Sequence, residues 1–262
     1  MTTSATSPLF EYVLRVADSD LVLAQRLGEW VGKGPVLEED IALTNVGLDL
    51  LGQARLWFAY AGEIDAKTSA HGRTEDELAF LRDGSAFRNL LLTEQPNGSY
   101  ADTMARQFYF DQWHLLVLRS LSTSRDSRIA EIAAKAAKEA AYHVERSADW
   151  VIRLGDGTDE SRCKMQSALD ELWMYTGEMF ASDVIETGLV EQGIAADVRT
   201  LSEPWRANVG AVLDEATLTL PGGTWMQGAD GRGGKQGIHT EHFGHLLAEM
   251  QFLQRAYPGL QW

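Results

Sequence analysis

The sequence is short of cysteine and of positive charge, and each shortage excludes a class of function. A single cysteine, Cys163, in 262 residues rules out an internal disulfide framework and a cysteine-ligated zinc or iron–sulfur site. Lys and Arg number 23 against 38 Asp and Glu, a net charge of −15, which argues against binding to nucleic acid or to anionic membranes. No apolar run reaches the roughly 18 residues that a membrane span needs, and the Thr/Ser-rich start does not resemble a secretory signal. We therefore expect a cytoplasmic protein.

What the sequence does contain is helical periodicity along most of its length. Ser7-Pro8 is a helix start, Gly32 to Pro35 is a stop, and Ser99 precedes another long helix. No alternating runs joined by a hairpin turn suggest strands. The predicted helices cover 8–31, 38–64, 100–122, 128–154, 159–180, 183–190, 197–216 and 240–257, with short helical pieces at 75–81 and 87–92. Residues 1–7 are expected to be a disordered tail and 221–237 a glycine-rich loop, in a single domain spanning 1–262.

The order of the long helices predicts the fold. Short turns join the first helix to the second and the third to the fourth, so each pair should form an antiparallel hairpin. A connection of roughly 35 residues separates the two hairpins, as in ferritin-like four-helix bundles, although other bundles share this connectivity. We therefore predict an all-α, ferritin-like bundle with additional C-terminal helices.

Each of the four long helices carries one ionisable residue on an apolar stripe. These residues are Asp20, Asp49, Asp111 and His143. On the second helix the stripe runs through Ala42, Asn45, Asp49, Gly52, Leu56 and Ala59. Buried, unpaired charges are costly, and the four residues lie at similar heights relative to the two turns. We therefore expect them to meet in one satisfied cluster.

The same positions are those at which ferritin-like carboxylate proteins bind two iron ions. Such a site needs a carboxylate from each of two helices and a Glu-x-x-His pair from each of the other two. Three residues after Asp49 the chain has Gly52 in place of the imidazole, and three residues before His143 it has Ala140 in place of the carboxylate. The pattern therefore predicts a degenerate site, with no metal and no catalytic residue in this chain.

Other readings of these polar positions remain open. The groups could be ordinary core residues, hydrogen-bonded to one another and to water. Alternatively, the chain is an independent ferritin-like oxidase whose metal site uses Asp111, His114, Glu139 and His143. A third class, a helical module for acyl-CoA, is disfavoured because no basic cluster for the CoA phosphates is visible.

Aromatic, methionine and histidine residues toward the C-terminus are candidates for a partner interface. Large flexible or aromatic side chains give much contact area, although burial in the core is the commoner role of any single one. The histidines of the segment 239–245 do not share one helix face, so we expect them to contact a partner rather than a metal. The candidates are Trp173, Tyr175, Met179, His239, His242, Met250, Phe252 and Trp262.

Several segments carry a family resemblance that covers nearly the whole chain after the N-terminal residues. They are LVLAQRLGEW at 21–30, GLDLLGQAR at 47–55, EQPNG at 94–98, YADT at 100–103, HTEH at 239–242 and EMQ at 249–251. These segments resemble the structural subunits of bacterial phenylacetyl-CoA epoxidase (ring-1,2-oxygenase) complexes, which belong to the ferritin-like superfamily.

The resemblance implies a non-catalytic subunit that pairs with a homologous catalytic oxygenase subunit in aerobic phenylacetate degradation. That partner would hold the di-iron centre and epoxidise the ring of phenylacetyl-CoA. A reductase with FAD and an iron–sulfur cluster would supply electrons from NADPH, and further small subunits would complete the complex. No cofactor is expected in this chain. By this resemblance, Asp20, Asp49, Asp111 and His143 are remnants of ligand positions, with Gly52 and Ala140 at the two lost ligands.

Overall fold

A computed structural model describes residues 7–67, 72–223 and 233–260, and every regular element within these ranges is helical. The α-helices are α1 (Pro8–Gly28), α2 (Leu37–Asp65), α3 (Glu75–Phe80), α4 (Tyr100–Leu121), α5 (Ser127–Gly155), α6 (Asp159–Trp173), α7 (Val184–Glu191), α8 (Ser202–Glu215) and α9 (Glu241–Ala256). Short 3-10 helices lie at Gly84–Ala86, Thr176–Phe180, Val198–Leu201 and Gly234–Gln236. Among these residues no helix combines the length and the apolar character that crossing a bilayer would require.

Capping residues set several of the helix starts that the sequence predicted. Pro8 occupies the first turn of α1, where its missing N–H leaves no bond unmade. Ser99 caps α4, and its backbone N–H donates to the Asp102 carboxylate at 2.6 Å. The Ser161 N–H donates to the Thr158 hydroxyl at 3.1 Å at the start of α6. Each cap pairs N–H groups that have no partner within the helix.

Several of the helix predictions are wrong in detail. The helix predicted for 8–31 ends at Gly28, and the one predicted for 197–216 begins as a 3-10 helix. Residues 87–92 form no helix, because the N–H groups of Arg88 and Leu90 are held by side chains of α1 instead of by the preceding turn. The helix predicted for 159–180 ends at Trp173 and resumes as a 3-10 helix. The Thr176 hydroxyl donates to the carbonyl of Trp173 at 2.8 Å and pairs an oxygen that a continuing helix would have used.

The chain forms two compact units, Met1–Glu94 with Gly231–Trp262, and Gln95–Asp230. In the first unit α1 and α2 form a helical hairpin, and α9 contacts α1 and α3. In the second unit α4 and α5 form the hairpin, against which α6 and α8 pack. Two hairpins, a long crossover and additional C-terminal helices are the elements of the predicted ferritin-like fold, so the fold class is confirmed. The single-domain assignment stays a prediction.

In the first unit, polar side chains of α1 hold the end of the crossover. The Asp18 carboxylate accepts from the backbone N–H of Arg88 at 2.8 Å, and the Ser19 hydroxyl accepts from that of Leu90 at 3.2 Å. The Arg26 guanidinium donates to the carbonyl of Glu94 at 2.7 and 3.1 Å. These side chains therefore pair backbone groups that no regular element satisfies.

The C-terminal segment of the same unit holds the crossover as well. The Gln251 amide donates to the carbonyls of Ala79 and Arg82 at 3.1 and 3.0 Å, and Arg255 donates to the latter at 2.7 Å. Gly237 has a φ of 76°, and a Cβ there would collide with the carbonyl oxygen of Ser85. The turn before α9 therefore requires glycine at this position.

A buried ion pair anchors this arrangement. The Arg82 guanidinium meets both carboxylate oxygens of Asp18, with Nη1 at 3.0 Å from Oδ2, and both side chains are buried. Arg82 also lies 4.1 Å above the ring of Phe87. Burial raises the pKa of Asp18, while the charge and hydrogen bonds of Arg82 oppose that rise. The carboxylate therefore depends on its arginine partner.

We predict that Arg82→Met lowers the free energy of unfolding by about 3–5 kcal/mol, because it leaves Asp18 as an uncompensated buried charge. Adding Asp18→Asn should recover part of the loss, since the amide oxygen can still accept from Arg88. Chemical denaturation of the single and double variants measures both effects.

The matched control is Arg55→Met, which breaks the exposed ion pair with Glu75. Exposed ion pairs contribute about 0–1 kcal/mol to stability, so the free energy of unfolding of this variant should remain close to that of the wild type. If Arg82→Met were as mild as this control, Asp18 would not depend on the arginine.

Candidate functional site

In the second unit, Asp111 lies in a buried polar cluster built by α4 and α5. Its Oδ1 accepts from the Gln107 amide at 2.6 Å, and His143 is buried with it. Burial raises the pKa of Asp111 to about 6, while His143, Ser147, Gln107 and Arg146 lower it. The charge of His143 is among the causes that lower the pKa of Asp111, so the two side chains lie near each other in this unit, and their part in a four-residue cluster stays a prediction.

Buried Arg146 supplies positive charge to the cluster, and the sequence pattern missed it. Its guanidinium donates to the Tyr100 hydroxyl at 3.3 Å and lies 3.9 Å from the sulfur of Met104. It stands three residues after His143, on the same face of α5. This spacing could have placed Arg146 beside His143 from the sequence alone. A search for metal ligands passes over it, because arginine is not a metal ligand. The chain itself thus provides the counter-charge to Asp111.

His114 is a neutral core residue. It is buried on α4, three residues after Asp111, with its ring centroid 4.9 Å from that of Phe110. Burial, assisted by the charge of His143, lowers the pKa of His114 to about 3. The ring is therefore uncharged at neutral pH and contributes mainly as a flat side chain among aromatic neighbours.

The remaining residue of the oxidase hypothesis, Glu139, is only half-buried on α5, next to the fully buried Ala140. Within residues 7–67, 72–223 and 233–260, no group of three or more His, Cys, Asp or Glu side chains is placed to hold a metal ion. The geometry therefore does not gather Asp111, His114, Glu139 and His143 into such a site.

In the first unit, the predicted core stripe of α2 is wrong by one position. Asp49 is half-buried and Gly52 is exposed, whereas the next residue after Asp49 points into the core. The buried side chains include those of Leu43, Val46, Leu50, Ala54, Trp57 and Ala61. This set carries larger aliphatic and aromatic groups than the predicted stripe, so its burial removes more apolar area from water.

Asp20, by contrast, is fully buried on α1, as its stripe predicted, and burial raises its pKa well above the ordinary value. Asp20 and Asp49 belong to the first unit, and Asp111 and His143 to the second. The meeting of all four residues in one cluster stays a prediction.

Glu94 is a fully buried carboxylate whose role the sequence did not reveal. Its Oε1 accepts from the Thr240 N–H at 2.6 Å, and its Oε2 accepts from the Asn89 amide at 3.1 Å. The Nδ1 of His239 lies 2.9 Å from Oε2, and Nε2 lies 3.3 Å from the Phe87 carbonyl. Glu94 and His239 thus fasten the segment before α9 to the crossover. Only the family-like segments 94–98 and 239–242 hinted at it.

Three of the proposed interface residues lie in the second unit. Trp173 is buried with its ring centroid 5.7 Å from that of Trp205. Met179 is fully buried, and its carbonyl accepts from the indole N–H of Trp113 at 3.0 Å. Tyr175 is half-buried. The first two therefore belong to the core of this chain.

The other interface candidates lie in or near α9. Met250 is buried, His239 and His242 are half-buried, and the side chain of Phe252 is 62% exposed. Trp262 lies outside the described residues. Phe252 is therefore the most accessible of the described candidates, and the contact of these residues with a partner stays a prediction.

We predict that two buried groups of the second unit oppose each other in their effect on stability between pH 4 and 6. The pKa of Asp111 is raised, so the contribution of this group to the free energy of unfolding falls as pH rises from 3.8 to 6. The pKa of His114 is lowered, so its contribution is lost as pH falls from 6.5 toward 3.

Single substitutions should separate the two effects. As the pH rises from 4 to 6, the free energy of unfolding of Asp111→Asn should increase relative to that of the wild type by on the order of 3 kcal/mol, because the amide cannot ionise in the buried site. The free energy of unfolding of His114→Phe, relative to that of the wild type, should decrease over the same rise in pH. Denaturation at several pH values measures the differences, and each variant is the control for the other. Parallel pH profiles for the two variants would contradict the assignment.

Comparison with known proteins identifies the family of the chain. Residues 1–262 match the family described as Phenylacetic acid catabolic protein. A curated relative from Escherichia coli (strain K12), a subunit of 1,2-phenylacetyl-CoA epoxidase, is 53% identical over 254 residues, which are 97% of this chain and 99% of the relative. The resemblance read from the sequence is thereby confirmed. The chain belongs to the phenylacetic acid catabolic protein family.

Proposed function

We propose that this chain is the non-catalytic structural subunit of a multicomponent di-iron monooxygenase that epoxidises the ring of phenylacetyl-CoA in aerobic phenylacetate degradation. In the assembly it pairs with and supports a homologous, iron-bearing catalytic subunit. A reductase carrying FAD and an iron–sulfur cluster delivers electrons from NADPH. The observation that carries the proposal is the likeness to a phenylacetyl-CoA epoxidase subunit over almost the full length of both chains.

The polar cluster of the second unit supports the non-catalytic part of the proposal. Asp111 receives a hydrogen bond from Gln107 and the field of the buried Arg146. A cation close to a carboxylate favours its charged form, but it also repels a metal ion approaching the same group. At position 140 a buried methyl group stands where a carboxylate ligand is needed. The donor set therefore does not fit a di-iron centre within this unit.

Two buried carboxylates of the first unit likewise have protein partners. Asp18 is paired with Arg82, and Glu94 accepts from Asn89 and Thr240. Carboxylates whose oxygens are already paired hold a fixed shape. A fixed shape is what a chain contributes when it acts by supporting a catalytic partner.

We predict that the chain purified alone contains far less than two iron ions per chain and shows no epoxidation with NADPH, the reductase and phenylacetyl-CoA. Adding the homologous oxygenase subunit should restore turnover. Elemental analysis gives the iron content, and chromatography of the CoA esters gives the product. The control is the catalytic subunit prepared with the same iron supply, which should retain its metal.

Two outcomes would contradict the proposal. Tightly held iron at two per chain, or turnover by the isolated chain, would favour an independent oxidase. Full activity and solubility of the catalytic subunit without this chain would remove the structural role.

A further inference from the structure

The outward face of α2 carries a line of exposed aliphatic side chains. The exposed fractions are 72% for Leu37, 52% for Ile41, 58% for Leu48 and 38% for Leu51. At about 100° per residue the four fall on one side of the helix, and at 1.5 Å per residue they extend over about 21 Å. These four residues are called the α2 stripe below.

The α2 stripe is unlike the scattered apolar residues of an ordinary surface. The opposite side of the helix is already buried, through Leu43, Leu50 and Trp57, in the hairpin with α1. A helix that is apolar on two sides is typical of one that packs on two sides. The stripe consists of two adjacent pairs, Leu37 with Ile41 and Leu48 with Leu51, and exposed apolar patches commonly mark interaction sites. The described part of the chain leaves the stripe uncovered, so it is a face that a further helix can cover.

Gly52, beside Leu48 and Leu51, points to the same conclusion independently. Glycine within a helix is destabilising relative to alanine, so it needs a reason. Among the described residues outside its own helix turn, none lies within 4 Å of a Cβ built at Gly52, so no packing among them requires its small size. A missing side chain on an exposed helix face lets another backbone approach closely.

Charge selects the kind of occupant. Exposed Glu38 and half-buried Asp40 and Asp49 flank the stripe, and the chain as a whole carries a net charge of −15. Exposed Arg55 follows Leu51 on the same face, where it is paired with Glu75. Two copies packed through this face would bring acidic flanks together, which is unfavourable. A different chain with an apolar helix and basic flanks is complementary in both respects.

We propose that the α2 stripe is the docking face for an apolar, basic-flanked helix of the homologous oxygenase subunit. This inference rests on the proposed function and names the surface through which it operates. A stable interface buries about 800 Å² on each partner, so the stripe forms its apolar centre and the acidic flanks form its polar rim.

The test is the dissociation constant between the full chain and the purified oxygenase subunit, measured by titration calorimetry. The double variant Ile41→Asp/Leu48→Asp should weaken binding at least tenfold, because it places charge at the apolar centre. Val184→Asp, at an 87% exposed aliphatic residue on α7, is the matched control and should change binding less than twofold. Circular dichroism and denaturation midpoints should show that both variants fold as the wild type does.

Position 52 gives a second measurement. Gly52→Ala should raise the denaturation midpoint of the isolated chain, whereas Gly52→Leu should weaken binding to the oxygenase subunit without lowering that midpoint. Unchanged binding by both the double variant and Gly52→Leu would overturn the docking face while leaving the proposed function intact.

Two other results also overturn it. Sedimentation of the isolated chain would detect a homodimer, and its loss in the double variant would assign the stripe to a second copy. No binding of the wild type to the oxygenase subunit would reject the proposed function, and the docking face with it.

Discussion

The structure of the first unit depends on pairing the backbone of its crossover. Buried N–H and C=O groups must find partners, and residues 87–94 have neither a helix nor a sheet to supply them. Side chains of α1 and of the C-terminal segment take that role. Asp18 and Arg26 reach the crossover from one element, and Gln251 reaches it from the other. Asp18 and Arg26 are therefore buried where an irregular segment needs them, and Arg82 in turn compensates the carboxylate.

An acidic chain has few cations, and where these are buried determines what the polar core can do. In the second unit His143 and Arg146 lower the pKa of Asp111, although burial still raises it to about 6. A carboxylate held among protein partners in this way supports a rigid core, whereas a metal centre needs several donors that remain open to the ion. The proposed role as a supporting subunit thus follows from how charge is distributed inside the unit, in addition to the family relationship.

Much of the fold could be predicted from local sequence features, namely helical periodicity and capping residues. Caps such as Ser99 and Thr158 act within one turn, so helix starts could be predicted. The failures came where distant residues compete with local preference. Residues 87–92 lost their helix to side chains of α1, and the core stripe of α2 shifted by one residue because α1 packs against its larger side chains. Asp20 and Asp111 were found because they interrupt apolar stripes, whereas Glu94 lies outside any periodic segment.

The sequence by itself determined the helical class, the two hairpins, the absence of a disulfide framework and the family, because these depend on periodicity, composition and extended similarity. Only the tertiary structure decided which polar groups are paired and which apolar ones remain outside. Arg82 meets Asp18 across 64 positions, and His239 meets Glu94 across 145. No local pattern encodes such distances, since the partners are chosen by how helices and crossover pack. The same packing buries Leu50 and leaves Leu48 exposed, two residues apart on one helix.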